Sequence, residues 1–130
     1  VIFYFDGGCK PNPGKMEVAV VSSDGSVKEH QVIHDGTNNE AEWIAFLWAA
    51  SYASVWAENN PGEVVTISGD SNLVVQQAQG NWKVKQETLR PFLVEWQANL
   101  KGLFVPSLLK IEHVGRNDNP AGHYIESLYK

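Results

Sequence analysis

Apolar and polar positions along the 130-residue chain follow two rhythms, one of short β-forming runs and one of longer helical stretches. The apolar run 1–5 predicts a buried strand that ends at Asp6. A second run, 64–68, predicts another that closes on Gly69-Asp70, and 108–114 predicts a last strand. Segments 17–22 and 26–34 predict two strands joined by Ser23-Asp24-Gly25, because Asp-Gly between such runs favours a hairpin turn. The Gly- and Pro-rich stretch from Gly7 to Gly14 predicts a loop. The stretch 39–58 is rich in Ala, Trp, Leu and Ile and predicts the longest helix, with Thr37 or Asn38 as its cap. A shorter helix is predicted over 72–79, stopped by Gly80. Over 86–100, Leu89, Leu93, Trp96 and Leu100 recur at helical spacing and predict an amphipathic helix. Asn119-Pro120 predicts a final short helix with Asn as cap and Pro at the first position. The order β-β-β-α-β-α-α-β-α implies an α/β fold, a mixed sheet with helices on its faces.

Composition adds bounds. The length suits one domain spanning residues 1–130, large enough to bury a core without disulfides. Five Trp, five Phe and four Tyr argue for that core and against disorder. No apolar run reaches the roughly 18 residues that a membrane span needs. No basic segment followed by an apolar one suggests a signal peptide. The lone Cys9 cannot pair within the chain and fits a reducing compartment, so a cytoplasmic location is expected. Fifteen acids against ten bases give a net charge of −5, which disfavours a protein coated with basic residues for non-specific nucleic-acid binding.

The acids at strand ends change the picture. Ligands of open α/β sheets sit at the carboxyl ends of the parallel strands. Asp6 and Asp70 each follow a strand predicted to be central, and Glu42 lies one turn into the long helix. Three carboxylates brought together would raise one another's pKa. A hard divalent cation relieves that repulsion, and two such ions suit in-line attack on a phosphodiester. The residues alone leave a plainer reading open: Asp6 and Asp70 as turn formers and Glu42 as a first-turn acid favoured by the helix dipole.

Five strings carry more. Phe5-Asp6-Gly7-Gly8-Cys9-Lys10-Pro11-Asn12-Pro13-Gly14, Thr37-Asn38-Asn39-Glu40-Ala41-Glu42, Gly69-Asp70-Ser71-Asn72, Asn81-Trp82-Lys83 and His113-Val114-Gly115-Arg116-Asn117-Asp118-Asn119 follow one another in this order. With them the whole chain resembles type 1 ribonuclease H. The resemblance implies a ribonuclease H-like fold, a five-stranded mixed sheet of order 3-2-1-4-5 with strand 2 antiparallel. It implies an endoribonuclease that hydrolyses the RNA strand of RNA–DNA hybrids by two-metal-ion catalysis, leaving 5′-phosphate and 3′-hydroxyl ends. Asp6, Glu42 and Asp70 then fall on catalytic carboxylates that hold two Mg²⁺ or Mn²⁺ ions. Glu40 is left as a solvent-facing helix residue. Asn12, Asn38, Asn39 and Asn72 fall on contacts to the minor groove of the hybrid. Amides suit that task, since each offers a donor and an acceptor to a 2′-hydroxyl. Cys9 matches a position near the RNA backbone, and Asn81-Trp82 matches a pair facing the DNA strand. Thr37 matches a Thr of the pocket that takes a DNA phosphate.

The departures from the family are informative. The position of the fourth catalytic Asp, four residues after Asn119, holds His123. Three readings are open: a metal ligand, which would favour transition metals; a contact to a metal-held water or the scissile phosphate; or a bystander. The loop before the last helix is short, and its Arg116 is a candidate phosphate contact. Asp35 stands where some relatives carry Arg in the phosphate pocket. The segment 81–87 holds only Lys83 and Lys85 in place of a basic protrusion. His30, His34, His113 and His123 form no recognised metal cage. Two other classes remain. A hybrid-binding module without catalysis is prompted by the missing Asp but opposed by the three retained carboxylates. A DNA nuclease of the same fold would have no use for the asparagine set. A monomer is expected, with a dimer left open, and no membrane contact. Few phosphate contacts imply that hybrid affinity falls with salt by a slope shallower than that of basic relatives, at about 0.9 log unit per contact. A salt titration measured beside a basic relative checks this, and equal slopes would refute it.

Overall fold

The computed structural model describes residues 1–129. Five strands form one sheet in the order β3-β2-β1-β4-β5. They are β1 (Ile2–Cys9), β2 (Gly14–Ser22), β3 (Lys28–Gly36), β4 (Val65–Gly69) and β5 (Leu109–His113). β2 runs antiparallel to both its neighbours, while β1, β4 and β5 are parallel. Four helices, α1 (Asn38–Asn59), α2 (Asn72–Ala78), α3 (Arg90–Leu103) and α4 (Pro120–Ser127), flank it. The expected α/β architecture and strand order are therefore those observed.

The caps explain the helix starts. The Thr37 hydroxyl accepts the Glu40 N–H at 3.2 Å, Ser71 accepts that of Val74 at 3.3 Å, and Asn119 accepts that of Ala121 at 3.1 Å. Pro120 occupies the first turn of α4, where its missing N–H costs nothing. α3 begins later than its periodicity suggests. A 3-10 turn, Glu87–Leu89, precedes it, and Pro91 sits in its first turn. In the hairpin, Gly25 takes φ +79°, which a side chain would oppose. Asp24 accepts both hydroxyls of Ser22 and Ser26 at 2.7 Å. These bonds favour its charged form and pull its pKa down to about 2.

β1 departs from expectation. It does not end at Asp6 but runs on to Cys9, paired with β2 as far as Cys9↔Met16. Its parallel pairing with β4 stops at Phe5↔Gly69. Asp6 and the glycines after it thus belong to an extended strand supported on one edge only. Pairing across the sheet overrides the local turn preference of Gly7-Gly8, a tertiary effect that the chain's local pattern does not carry.

Side chains alternate across β1. Phe3 and Phe5 are buried on the side of α1, where Phe5 meets Phe46 edge to face at 5.4 Å between ring centroids. Phe46 also packs on Trp43 at 5.5 Å and on Trp96 of α3 at 4.7 Å. Buried indoles need acceptors. Trp43 donates to the Gln77 side chain and Trp96 to the Ala78 carbonyl, each at 2.9 Å. The same aromatic group thus ties α1, α2 and α3 together. α4 packs on the opposite face, against β1 and β2. There His30 meets the Tyr124 ring edge to face, Lys28 lies over that ring, and both His30 and Tyr129 bond Glu17.

Phe46 touches three rings, Phe5 of β1, Trp43 of its own helix and Trp96 of α3, and is fully buried, so its removal leaves a cavity that cannot close. Phe46→Ala is expected to cost about 3–5 kcal/mol in urea denaturation. A loss below about 1 kcal/mol would show that the cluster does not hold the helices together.

Candidate active site

Three carboxylates meet at the carboxyl end of the parallel strands. One oxygen from each of Asp6, Glu42 and Asp70 lies within 4.8 Å of the others. Each comes from a different element. Asp6 is carried on β1, on the α4 side of the sheet. Asp70 follows the last residue of β4. Glu42 reaches over from the first turns of α1, and its Oε1 accepts the Gly7 N–H at 2.7 Å.

Gly7 makes this meeting possible. A Cβ on Gly7 would lie 2.3 Å from the Ala41 carbonyl oxygen and 2.8 Å from the Glu42 nitrogen. Only a glycine lets the start of α1 press against β1 there. On the other face, Gly122 of α4 comes close, and a Cβ at that position would sit 3.4 Å from Asp6 Oδ2.

Asn119 closes the arrangement. It is fully buried, its Nδ2 donates to the Phe5 carbonyl at 2.9 Å and to Asp70 Oδ2 at 3.3 Å, and its Oδ1 caps α4. The sequence shows it only as a helix cap. Nothing in the Asn-Pro signature reveals that the same amide orients Asp70.

Crowding alters the acids. Burial first, then the charge of Asp70, pushes the Asp6 carboxyl up to about 7, against the pull of Arg116 and the Gly7 amide. Burial first, then Asp6 and Asp70, holds Glu42 well above the usual carboxylate range. The donors are three carboxylates with no thiolate or imidazole, and their mutual repulsion is what a cation relieves. That set fits a hard, oxygen-seeking divalent ion.

His123 does not join this set. It is exposed on α4, and its Nε2 lies 2.6 Å from the Asn117 carbonyl oxygen. Arg116 is exposed in the 3-10 turn Arg116–Asp118, and its charge is felt by both Asp6 and Glu42. Glu40 is not simply solvent-facing. It is half-buried and accepts the Thr37 hydroxyl at 3.1 Å, because the capping geometry turns it back toward the helix start.

The asparagines form two linked groups beside the acids. In the first, Asn38 Oδ1 accepts the Cys9 N–H at 2.8 Å. Asn12 Oδ1 takes the Asn38 N–H at 3.2 Å and the Cys9 thiol at 3.3 Å. In the second, Gln76 links Asn72 to Asn81, donating to the former at 3.2 Å and accepting from the latter at 2.9 Å. The spacing-based reading misses Gln76, and the i, i+4 relation of Asn72 and Gln76 on a helix is the signal that points to it. Asn39, Trp82, Lys83 and Lys85 line a shallow groove with Leu73, Gln77 and Gln86. Trp82 is 47% exposed, so it is free to meet a ligand. Thr37 acts as the α1 cap, and Asp35 sits opposite Lys15 across β2 and β3.

Residues 1–118 match the model of the RNase H family. A ribonuclease HI of Halobacterium salinarum (strain ATCC 700922 / JCM 11081 / NRC-1) is 33% identical over 120 residues, covering 89% of this chain. That match spans 57% of the relative's length. Among solved structures, LC11-RNase H1 in complex with an RNA/DNA hybrid superposes with a TM-score of 0.80 at 30% identity, covering 99% of both chains. LC11-RNase H1 was isolated from compost by a metagenomic approach. RNase H1 from the halophilic archaeon Halobacterium salinarum NRC-1 gives a TM-score of 0.77 at 31% identity, over 99% of this chain and 97% of that one.

The raised carboxyls fix the sign of a pH effect. An acid whose pKa is raised on folding stabilises the fold most below its ordinary value, 3.8 for Asp6, and that contribution is lost as pH rises through about 7. The cation-free protein is therefore expected to lose thermal stability over this window, and added Mg²⁺ to restore most above it. Asp6→Asn removes the share of the effect due to Asp6, leaving that of Glu42, and raises the cation-free Tm near about pH 8, by roughly 4 °C per kcal/mol relieved. A Tm for Asp6→Asn below wild type under those conditions would contradict this.

Proposed function

The chain belongs to the ribonuclease H family, and from that premise we propose that residues 1–130 act as a single catalytic domain that hydrolyses the RNA strand of RNA–DNA hybrids. The products carry 5′-phosphate and 3′-hydroxyl ends. The observation that carries this reading is the Asp6–Glu42–Asp70 cluster, three oxygen-only ligands within 4.8 Å of one another. These residues would hold two Mg²⁺ or Mn²⁺ ions, which would supply an activated water for attack and positive charge at the leaving oxygen.

The chain's own groups do the positioning. The Gly7 N–H fixes the Glu42 carboxylate, and the Asn119 amide fixes Asp70. Both restraints hold the acids in a ligand geometry before substrate arrives, so little reorganisation is needed on binding. Arg116 lends positive charge to the same place and suits an incoming phosphate. His123 serves the site from outside the ligand set.

The asparagines support a hybrid as the substrate. Asn12, Asn38 and Asn72 each engage the amide oxygen within the protein. Their NH₂ groups remain for outside acceptors, such as 2′-hydroxyl oxygens and minor-groove base edges. Asn39 extends that row, Asn81 keeps its amide oxygen for a partner because its NH₂ donates to Gln76 and Gln79, and Trp82 offers a flat face for a DNA sugar, beside Lys83 and Lys85. Thr37 contacts the DNA backbone at the rim, while Cys9, which the resemblance sets near the RNA backbone, is buried with its thiol on Asn12 and acts through that asparagine. One chain supplies all three carboxylates, so a monomer suffices, and the lone thiol suits a reducing, cytoplasmic setting. No helix among the described residues is long and apolar enough to cross a membrane.

The test compares labelled RNA–DNA hybrid, duplex RNA and duplex DNA of one sequence with Mg²⁺ or Mn²⁺. Cleavage of the RNA strand of the hybrid alone is expected, and Asp70→Asn should lower it on the order of 100-fold or more. Binding of hybrid without cleavage would leave a binding module, and cleavage of duplex DNA would leave a different nuclease. Asn38→Asp keeps the oxygen that accepts the Cys9 N–H but removes the free donor. It is expected to raise KM about tenfold with the fold intact. An unchanged KM would remove the amide from hybrid recognition.

A further inference from the structure

The position that departs from the family's carboxylate set holds a histidine already engaged elsewhere. His123 Nε2 lies 2.6 Å from the Asn117 carbonyl oxygen. A carbonyl only accepts, so this nitrogen carries a proton and donates. Neither ring nitrogen joins the group of carboxylate oxygens lying within 4.8 Å of one another. An aspartate at this position, ionised, would have no proton to offer that carbonyl.

The acceptor lies in a turn with little else to hold it. Asn117 is the middle residue of the 3-10 turn Arg116–Asp118, which buries no residue and has no side-chain cap. Its backbone ties are the Asp118 N–H to the Gly115 carbonyl at 2.9 Å and the Asn119 N–H to the Arg116 carbonyl at 3.4 Å, the latter near the limit of a useful bond. The bond from His123 is the short one.

The turn sits against the catalytic cluster. Its last backbone tie ends on Asn119, whose side chain reaches Asp70 at 3.3 Å. α4 stands at the same place, with Gly122 beside Asp6 and His123 next in the chain. Arg116 opens the turn and makes no ion pair among the described residues. Its guanidinium is therefore free, and where it points depends on the turn beneath it.

We propose that His123 is a positioning residue that clamps the Asn117 carbonyl, fixing the Arg116–Asp118 turn so that the Arg116 guanidinium stays beside the carboxylate cluster and meets the scissile phosphate. The phosphate half of this statement rests on the hydrolytic reading above, while the clamp stands on the geometry alone. The substitution of the fourth carboxylate thus exchanges a ligand for a clamp on a neighbouring cation.

The test uses His123→Ala, His123→Gln and His123→Asp, each with Arg116 or with Arg116→Ala. Gln keeps an N–H donor; Ala and Asp do not. His123→Ala is expected to lower kcat/KM for hybrid about tenfold, with Gln restoring most of it and Asp not. In the Arg116→Ala background the His123→Ala loss should disappear, because the two residues act as one unit. Two readouts stand apart from activity. Exchange of the Asp118 amide should quicken in His123→Ala and not in His123→Gln. In ¹⁵N spectra of the wild-type imidazole, Nε2–H should persist when Mg²⁺ is added, and Nδ1 should not shift as a ligated nitrogen does. A ring nitrogen that responds to Mg²⁺ as a ligand would overturn the proposal. So would His123→Asp matching wild type where His123→Gln fails, or equal losses in both Arg116 backgrounds. Wild type that leaves hybrid intact, with the exchange and ring signals as expected, would refute the hydrolytic reading and support the clamp.

Discussion

The close approach of α1 to β1 at Gly7 is the constraint on which the rest of the site depends. The helix start lies so near that no side chain fits there. Its neighbours turn that contact into chemistry. Ala41 is buried at the contact, and Trp43 is buried with its indole bonded to Gln77. Glu42 lies between two anchored residues and cannot swing away, so its carboxylate takes the Gly7 N–H. Asp6, one residue before Gly7, lies on the same strand and meets it. One steric contact thus sets an acid from a helix against an acid from a strand.

Holding carboxylates together costs free energy, and the core must supply it. Burial and mutual charge lift Asp6 and Glu42 out of the ordinary range. The opposing force is the aromatic group of Phe5, Phe46, Trp43 and Trp96, which begins one residue before Asp6 and one residue after Glu42. On the far face α4 is held to the sheet through Tyr124 and Tyr129. Its cap residue, Asn119, then reaches across to Asp70. The acids are therefore held between two packed layers, an arrangement that would keep a cation site formed before a cation arrives.

Much of this was legible in the sequence because the signals are local. Hairpin, caps and helix faces follow from Asp24-Gly25, Thr37, Asn119-Pro120 and the spacing of Leu89, Leu93, Trp96 and Leu100. The convergence of Asp6, Glu42 and Asp70 follows once the strand order is known. What stayed hidden depends on contacts between distant residues. The extension of β1 to Cys9 comes from pairing with β2. The second task of Asn119 comes from its burial beneath Asp70. The sequence left three roles open for His123 because spacing puts a residue at a position but does not aim its ring. The bond to Asn117, a residue of the neighbouring turn, is what narrows them.

The acid excess also reads differently in three dimensions. A net charge of −5 opposes nucleic-acid binding only if the charge is spread over the binding face. Three of the acids are gathered at one point, where a divalent cation would neutralise them. Lys83 and Lys85 lie together in the groove beside Trp82, and Arg116 stands by the cluster. Asp35, at the position where some relatives carry Arg, stands opposite Lys15 across β2 and β3, beside a bulge and without a salt bridge between them. The chain thus separates its charges by task. Negative charge is gathered at the carboxylate cluster, and the few basic side chains lie at its edges, where the proposed function would have them meet a backbone. A basic grip is absent from this pattern among the described residues, so under the proposed function discrimination would fall to the asparagine donors; the side-chain oxygens of Asn12 and Asn38 are held by backbone amides. A weakly charged surface with fixed donors loses the general attraction that any nucleic acid would enjoy and keeps the contacts that depend on a 2′-hydroxyl.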